Sequence, residues 1–145
     1  MNYTLVTGAN GEIGHALLER LHSDGHSILA VDLNPLSDET SQLCEQTFTG
    51  HLGDVTNHEL YSSLEDYSIT TVFHLAALLS TSAEKNPELA QRVNVGGTLN
   101  LLELARKTGK KIDQPVKFLF PSTIAVYGFA SLESKIRAGR VSEDQ

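Results

Sequence analysis

Apolar and polar positions fall into short blocks that alternate along the chain. Tyr3–Thr7, Ser27–Val31, Thr71–Leu75 and Val116–Phe120 are brief apolar runs of strand length, and Thr47–Leu52 reads as a weak third strand. Between the first two, Ile13, Ala16, Leu17, Leu18 and Leu21 form one helical stripe. They predict a helix from Glu12 to about Asp24, with Gly25 in the position after its C-terminus. The stretch Leu33–Glu45 is polar and carries Pro35 and Asp38, which predicts a loop with a short helix. Thr56, with Glu59 three residues on, has the form of a capping box and predicts a helix through Tyr67. Asn86 and Pro87 open a long helix that ends near Thr108 and Gly109. The tail from Ser131 is polar and shows no clear element. Short apolar strands alternating with helices predict an α/β fold: an open, mostly parallel sheet covered on both faces.

The chain has 145 residues, enough for one domain with a proper core. Its net charge of -7 disfavours nucleic acid and anionic membranes as partners. No apolar run approaches the roughly 18 residues of a spanning helix. The first strand is expected almost at once, without a leader segment before it, and Cys44 is the one cysteine in the sequence. Both point to a cytoplasmic protein. The histidines His15, His22, His26, His51, His58 and His74 lack companion ligands in metal-site spacing, so no metal is expected. Lys107, Lys110 and Lys111 suit the C-terminal end of the long helix and its dipole.

The chemistry concentrates at the ends of the predicted strands. The first runs into Thr7-Gly8-Ala9-Asn10-Gly11-Glu12-Ile13-Gly14, a G-x-x-G-x-x-G turn that opens a helix. Glycines there remove side chains that would block phosphates, and the helix N-terminus offers free N–H groups to an anion. No G-K-[ST] follows, so a nucleotide-hydrolysing phosphate loop is not indicated. Asp32 closes the second strand, 21 residues after Gly11, where a carboxylate binds the hydroxyls of an adenosine ribose. It would repel a 2′-phosphate, and Leu33 and Asn34 follow it, not Arg. NAD is therefore favoured over NADP.

Gly53-Asp54-Val55 follows the third strand, where Asp54 could accept from an adenine amino group and Val55 could pack the ring. Asp54 as a helix cap is the alternative. His74-Leu75-Ala76-Ala77 closes the fourth strand with small residues that would let a cofactor lie against backbone. His74 itself, on an apolar strand, reads as a core histidine with satisfied nitrogens. Ser80, Thr81 and Ser82 either face a substrate or form a mobile loop. Gly96 and Gly97 inside a predicted helix cost roughly 2 kcal/mol against alanine, so close packing must offset them.

Taken in order, T-G-A-N-G-E-I-G, Asp32, G-D-V, H-L-A-A, Asn94-Val95-Gly96-Gly97-Thr98 and Pro121-Ser122-Thr123-Ile124-Ala125-Val126-Tyr127-Gly128 resemble the extended short-chain dehydrogenase/reductase family, the NAD-dependent epimerases and dehydratases. The resemblance covers residues 3–128. It implies a Rossmann-like doubly wound sheet, ended here after about five strands. It implies NAD held by Gly8, Asn10, Gly11, Glu12, Ile13 and Gly14 of the turn, by Asp32, Asp54 and Val55, and by Leu75, Ala76, Ala77 and Asn94. It also implies a hydroxyl after the fifth strand, Thr123 with Ser122 beside it, that hydrogen-bonds the reacting oxygen of the substrate.

The family's proton-transfer pair is a Tyr with a Lys four residues on, and no Y-x-x-x-K occurs in this sequence. The resemblance therefore implies an incomplete cofactor domain, residues 1–145, whose catalytic helix and substrate domain lie beyond it. The parent protein is expected to be an NAD-dependent epimerase or dehydratase acting on a nucleotide-sugar, and a homodimer. A dehydrogenase similar to the short-chain L-threonine 3-dehydrogenases, acting on a hydroxy-amino acid, remains open, as does a non-catalytic NAD-binding sensor or scaffold.

Overall fold

Five strands lie parallel in one sheet: β1 (Tyr3–Thr7), β2 (Ser27–Asp32), β3 (Gln46–Thr49), β4 (Ile69–His74) and β5 (Lys117–Leu119), in the order β3-β2-β1-β4-β5. The structure, a computed structural model, describes residues 1–123, 126 and 128–139. β1 pairs with β2 on one side, Leu5 opposite Leu29, and with β4 on the other, Leu5 opposite Val72. The chain thus builds outward from β1 to β3, then returns to the far side of β1. That reversal puts a crevice at the carboxyl ends of β1 and β4.

Strand residues alternate between two cores. Leu5, Leu29 and Val31 join Leu60 and Leu64 of α3 (His58–Leu64) and Leu101 and Leu104 of α6 (Thr98–Ile112). Val6, Ile28 and Ala30 face the other way, onto Leu18 and Leu21 of α1 (Glu12–Ser23). Both faces are covered, which is why these strands read as continuous apolar runs. This is the Rossmann-like, doubly wound arrangement expected from the sequence. α1 ends as its glycine predicts: Gly25 has φ 78°, and the N–H groups of Gly25 and His26 donate to the carbonyls of His22 and Leu21.

Several elements differ from the sequence reading. The polar connection after β2 does hold a short helix, α2 (Asp38–Ser41), capped by Ser37. β3 stops at Thr49, and residues Gly50–Gly53 form a 3₁₀ turn in place of more strand. The cap of α3 is Asn57, whose side chain accepts from the Glu59 N–H at 3.1 Å. Thr56 is instead drawn back to Asp54, donating through both its N–H and its hydroxyl to Oδ1 at 2.8 Å. Ser80–Lys85 forms a helix, α4, where a loop was one of the two expectations. The tail also gains a helix, α7 (Leu132–Ala138), closed by a capping box between Ser131 and Ser134.

The long helix begins as predicted, with Asn86 accepting from the Leu89 N–H and Pro87 in the first position of α5 (Pro87–Ala90). It is then interrupted by a π-helical segment, Gln91–Gly97, before α6 carries on to Ile112, beyond Gly109. The glycine pair lies in this segment. A Cβ at Gly97 would come within 2.6 Å of Val55 Cγ2, whereas Gly96 faces open space. Close packing thus explains one glycine of the two. No helix among the described residues is long and apolar enough to cross a membrane.

Candidate active site

A cleft of about 760 Å³ opens at the carboxyl ends of β1, β4 and β5. One wall is the glycine turn after β1, with Gly8, Gly11, Glu12, Ile13 and Gly14. The second is the segment that leaves β4, His74 to Ser80, and the third is Phe120 to Thr123 with Val126. Gly11 caps α1 without a side chain, so no side-chain acceptor competes for the first N–H groups of the helix. Those donors and the positive end of the dipole face an incoming anion.

The glycines are required by geometry. Gly8 has φ 71°, and a Cβ there would lie 2.7 Å from the backbone of both Leu75 and Ala76. A Cβ on Gly14 would run into the backbone oxygens of Gly8 and Ala9. The turn therefore lies flush against the exit of β4, with its own residues and α1 packed so closely that neither position has room for a Cβ. This cradle fits a dinucleotide.

Asp32 is tied to the same turn. Its Oδ2 accepts the Asn10 N–H at 2.9 Å, and its Oδ1 accepts the Asn34 N–H at 2.9 Å. Two backbone donors hold the carboxylate at the end of β2, and each oxygen keeps a lone pair for a further donor. Asn10, Asp32 and Asp54 stand outside the main cleft, on the side toward β3. Asp54 spends Oδ1 on Thr56. Val55 is only 3% exposed and packs in the core, leaving little surface to offer a ring. The structure thus draws Asn10 and Asp32 together but does not bring Val55 into the open.

Under the cleft sits His74, 1% exposed and pushed down to about pKa 4 by burial. Its Nδ1 lies 2.7 Å from Thr7 Oγ1, and its Nε2 lies 2.9 Å from Thr98 Oγ1. Asn94, in the π segment, clasps the loop after β4. Its Oδ1 accepts the Leu78 N–H at 2.8 Å and its Nδ2 donates to the Leu78 carbonyl at 3.0 Å. A π turn displaces side chains from the regular helical register and recurs at functional sites.

Ser122 and Thr123 are exposed on the third wall, and the Thr123 carbonyl accepts the Val126 N–H at 3.2 Å. Ile124, Ala125 and Tyr127 of the same motif lie outside the described residues. Of the three hydroxyls after Leu79, Ser80 reaches the cleft, while Thr81 and Ser82 lie along α4 away from its lining. Sequence reasoning passed over Leu78, Leu79, Phe120 and Val126, which supply apolar lining. Leu79, Phe120 and Val126 are apolar yet 77%, 55% and 65% exposed, as is Ile13 at 69%, a property of the fold that sequence alone does not carry.

The sequence pattern of the NAD-dependent epimerase/dehydratase family matches residues 4–142. An uncharacterised epimerase/dehydratase of Staphylococcus haemolyticus is 36% identical over 131 residues, 88% of this chain and 38% of the relative. Among solved structures, a monomeric L-threonine 3-dehydrogenase from a metagenome is 36% identical with a TM-score of 0.67, over 86% of this chain and 37% of that one. A UDP-glucose 4-epimerase of Thermotoga maritima, solved with UDP-glucose, is 29% identical with a TM-score of 0.70, over 85% of this chain and 38% of that one. The chain thus spans about 38% of the length of the curated relative.

Proposed function

Because the chain belongs to the NAD-dependent epimerase/dehydratase family, we propose that it is the NAD-binding part of an oxidoreductase acting on a nucleotide-sugar. The observation that carries this reading is the joined cradle: a glycine turn with no room for a side chain, tied through Asn10 to the Asp32 carboxylate. NAD, when bound, supplies a nicotinamide ring that accepts and returns a hydride.

The protein's own residues divide the remaining work. Gly8, Gly11 and Gly14 admit the pyrophosphate, and the first N–H groups of α1 meet its charge. Asp32 accepts from ribose hydroxyls and repels a 2′-phosphate. Leu75, Ala76 and Ala77 form a low wall beside the cofactor, fixed in place by Asn94. Ser122 and Thr123 offer hydroxyls to the reacting oxygen of a substrate, which orients it for transfer. The proton-transfer pair of Tyr and Lys is not in this sequence, so we assign catalysis to a longer protein, a homodimer, with this chain as its cofactor domain.

The test is titration of this chain with NADH and NADPH, followed by fluorescence. NADH is expected to bind at least tenfold more tightly. Asp32→Ala is expected to weaken NADH by about 10- to 100-fold, the effect of losing charge-assisted hydrogen bonds of roughly 1.5–3 kcal/mol. Equal affinity for the two nucleotides would sink the assignment of Asp32.

A second reading has its own support, the 36% identity to an L-threonine 3-dehydrogenase. Assay of the longer protein separates the two. Net NADH release with L-threonine favours the dehydrogenase, and conversion of UDP-glucose to its 4-epimer without net NADH favours the epimerase.

A further inference from the structure

We propose that His74 is a positioning residue of the cleft, holding the segment 75–79 from two sides through paired hydroxyl relays. The inference rests on the reading of this cleft as a dinucleotide site. The bond on the Thr98 side fixes the direction of the other. Thr7 Oγ1 accepts the Ala76 N–H at 3.3 Å and has its own proton to offer His74 Nδ1, 2.7 Å away. On the other side the Thr98 hydroxyl donates to the Asn94 carbonyl at 2.6 Å, so Thr98 Oγ1 accepts from His74 Nε2–H. Burial keeps the imidazole neutral, so with Nε2 as the donor its Nδ1 is an acceptor.

Both relays return to one loop. The first ends on the Ala76 N–H, beside the space that Gly8 leaves free. The second passes through Thr98 to Asn94, whose amide clasps both backbone groups of Leu78. A third side is closed by β5 and the residue that follows it: Phe118 of β5 lies edge-on to His74 with ring centroids 6.2 Å apart, and Phe120 lies tilted against it at 5.6 Å. The ring cannot turn without breaking one relay. Its position thus holds the β4 exit against the glycine turn, the contact on which two walls of the proposed cradle rest. No buried side-chain nitrogen or oxygen among the described residues lacks a partner, so removing either hydroxyl creates an unpaired group at the centre of this brace.

Thr98→Val keeps the shape and deletes the hydroxyl, while Thr98→Ser keeps the hydroxyl and loses a methyl. Amide exchange at Ala76 and Leu78, followed by NMR, reports the loop without any cofactor, and NADH titration reports the cleft. In the wild type, ¹⁵N spectra are expected to show His74 protonated at Nε2 alone. Thr98→Val is expected to speed exchange at Leu78 about tenfold and to weaken NADH about tenfold, the effect of one buried hydrogen bond. Amides of β2 should be unchanged, and Thr98→Ser should restore both readouts. Unchanged exchange at Leu78 in Thr98→Val, or a serine variant as impaired as the valine, overturns the brace. If Leu78 responds as described but the wild type takes up no NADH, the brace stands and the cofactor reading fails.

Discussion

Gly8→Ala is expected to lower the folding stability by about 3 kcal/mol and to remove measurable NADH binding. Two costs add. The residue sits at φ 71°, a left-handed conformation that penalises any Cβ by roughly 1–2 kcal/mol. The new methyl would also lie 2.7 Å from the Leu75 and Ala76 backbone, an overpacking that costs typically 1–3 kcal/mol. Relief requires the glycine turn and the β4 exit to move apart, and these are two walls of the one cleft. Gly25→Ala is the matched control. It has φ 78° but nothing within 4 Å of an added Cβ, so only the conformational part, roughly 1–2 kcal/mol, should appear. NADH binding should survive there. Urea denaturation and NADH titration of both variants decide the matter: equal losses would show that backbone conformation, not the fit against β4, makes Gly8 necessary.

The contrast between these glycines marks what sequence could and could not convey. The turn from Gly8 to Gly14 was legible because it is local, as were the strands, whose apolar runs follow from burial on both faces. Asp32 was legible because its place at a strand end is set by chain order alone. What it touches was not, since its partner Asn10 lies 22 residues away. Local competition misled the reading of residues 54–59: Thr56 resembles a cap, but Asp54 captures it and leaves the task to Asn57. α4 escaped notice because Ser80–Lys85 has no apolar stripe, and α7 because its apolar residues Leu132 and Ile136 are exposed. The π segment carries no compositional mark beyond its two glycines. His74 was read correctly as a satisfied core residue, yet its partners Thr7 and Thr98 lie 67 and 24 residues away. Only the fold brings them together, so the brace could not be seen before it.

That same histidine makes stability depend on pH in a specific window. His74 is buried with no charged partner in its hydrogen bonds, and desolvation lowers its pKa from 6.5 to about 4. Below pH 6.5 the unfolded chain takes up a proton here that the folded protein refuses until about pH 4. The unfolded state then binds more protons, so stability falls as pH drops. The contribution is fully present above pH 6.5. Between pH 7 and pH 5 its loss is expected to be about 2 kcal/mol, rising toward roughly 3 kcal/mol near pH 4. Protonation also sets an N–H of the ring against the Thr7 hydroxyl, which already accepts from Ala76, so the relay on the β1 side must reverse or break. His74→Gln has no proton to gain, and the other five histidines remain in both proteins. The difference in unfolding free energy between wild type and variant, measured by urea denaturation, should therefore shrink steadily from pH 7 to pH 5. Parallel curves across that range would show that His74 is protonated as readily in the folded protein as in the unfolded chain, and that burial beneath the cleft does not keep it neutral.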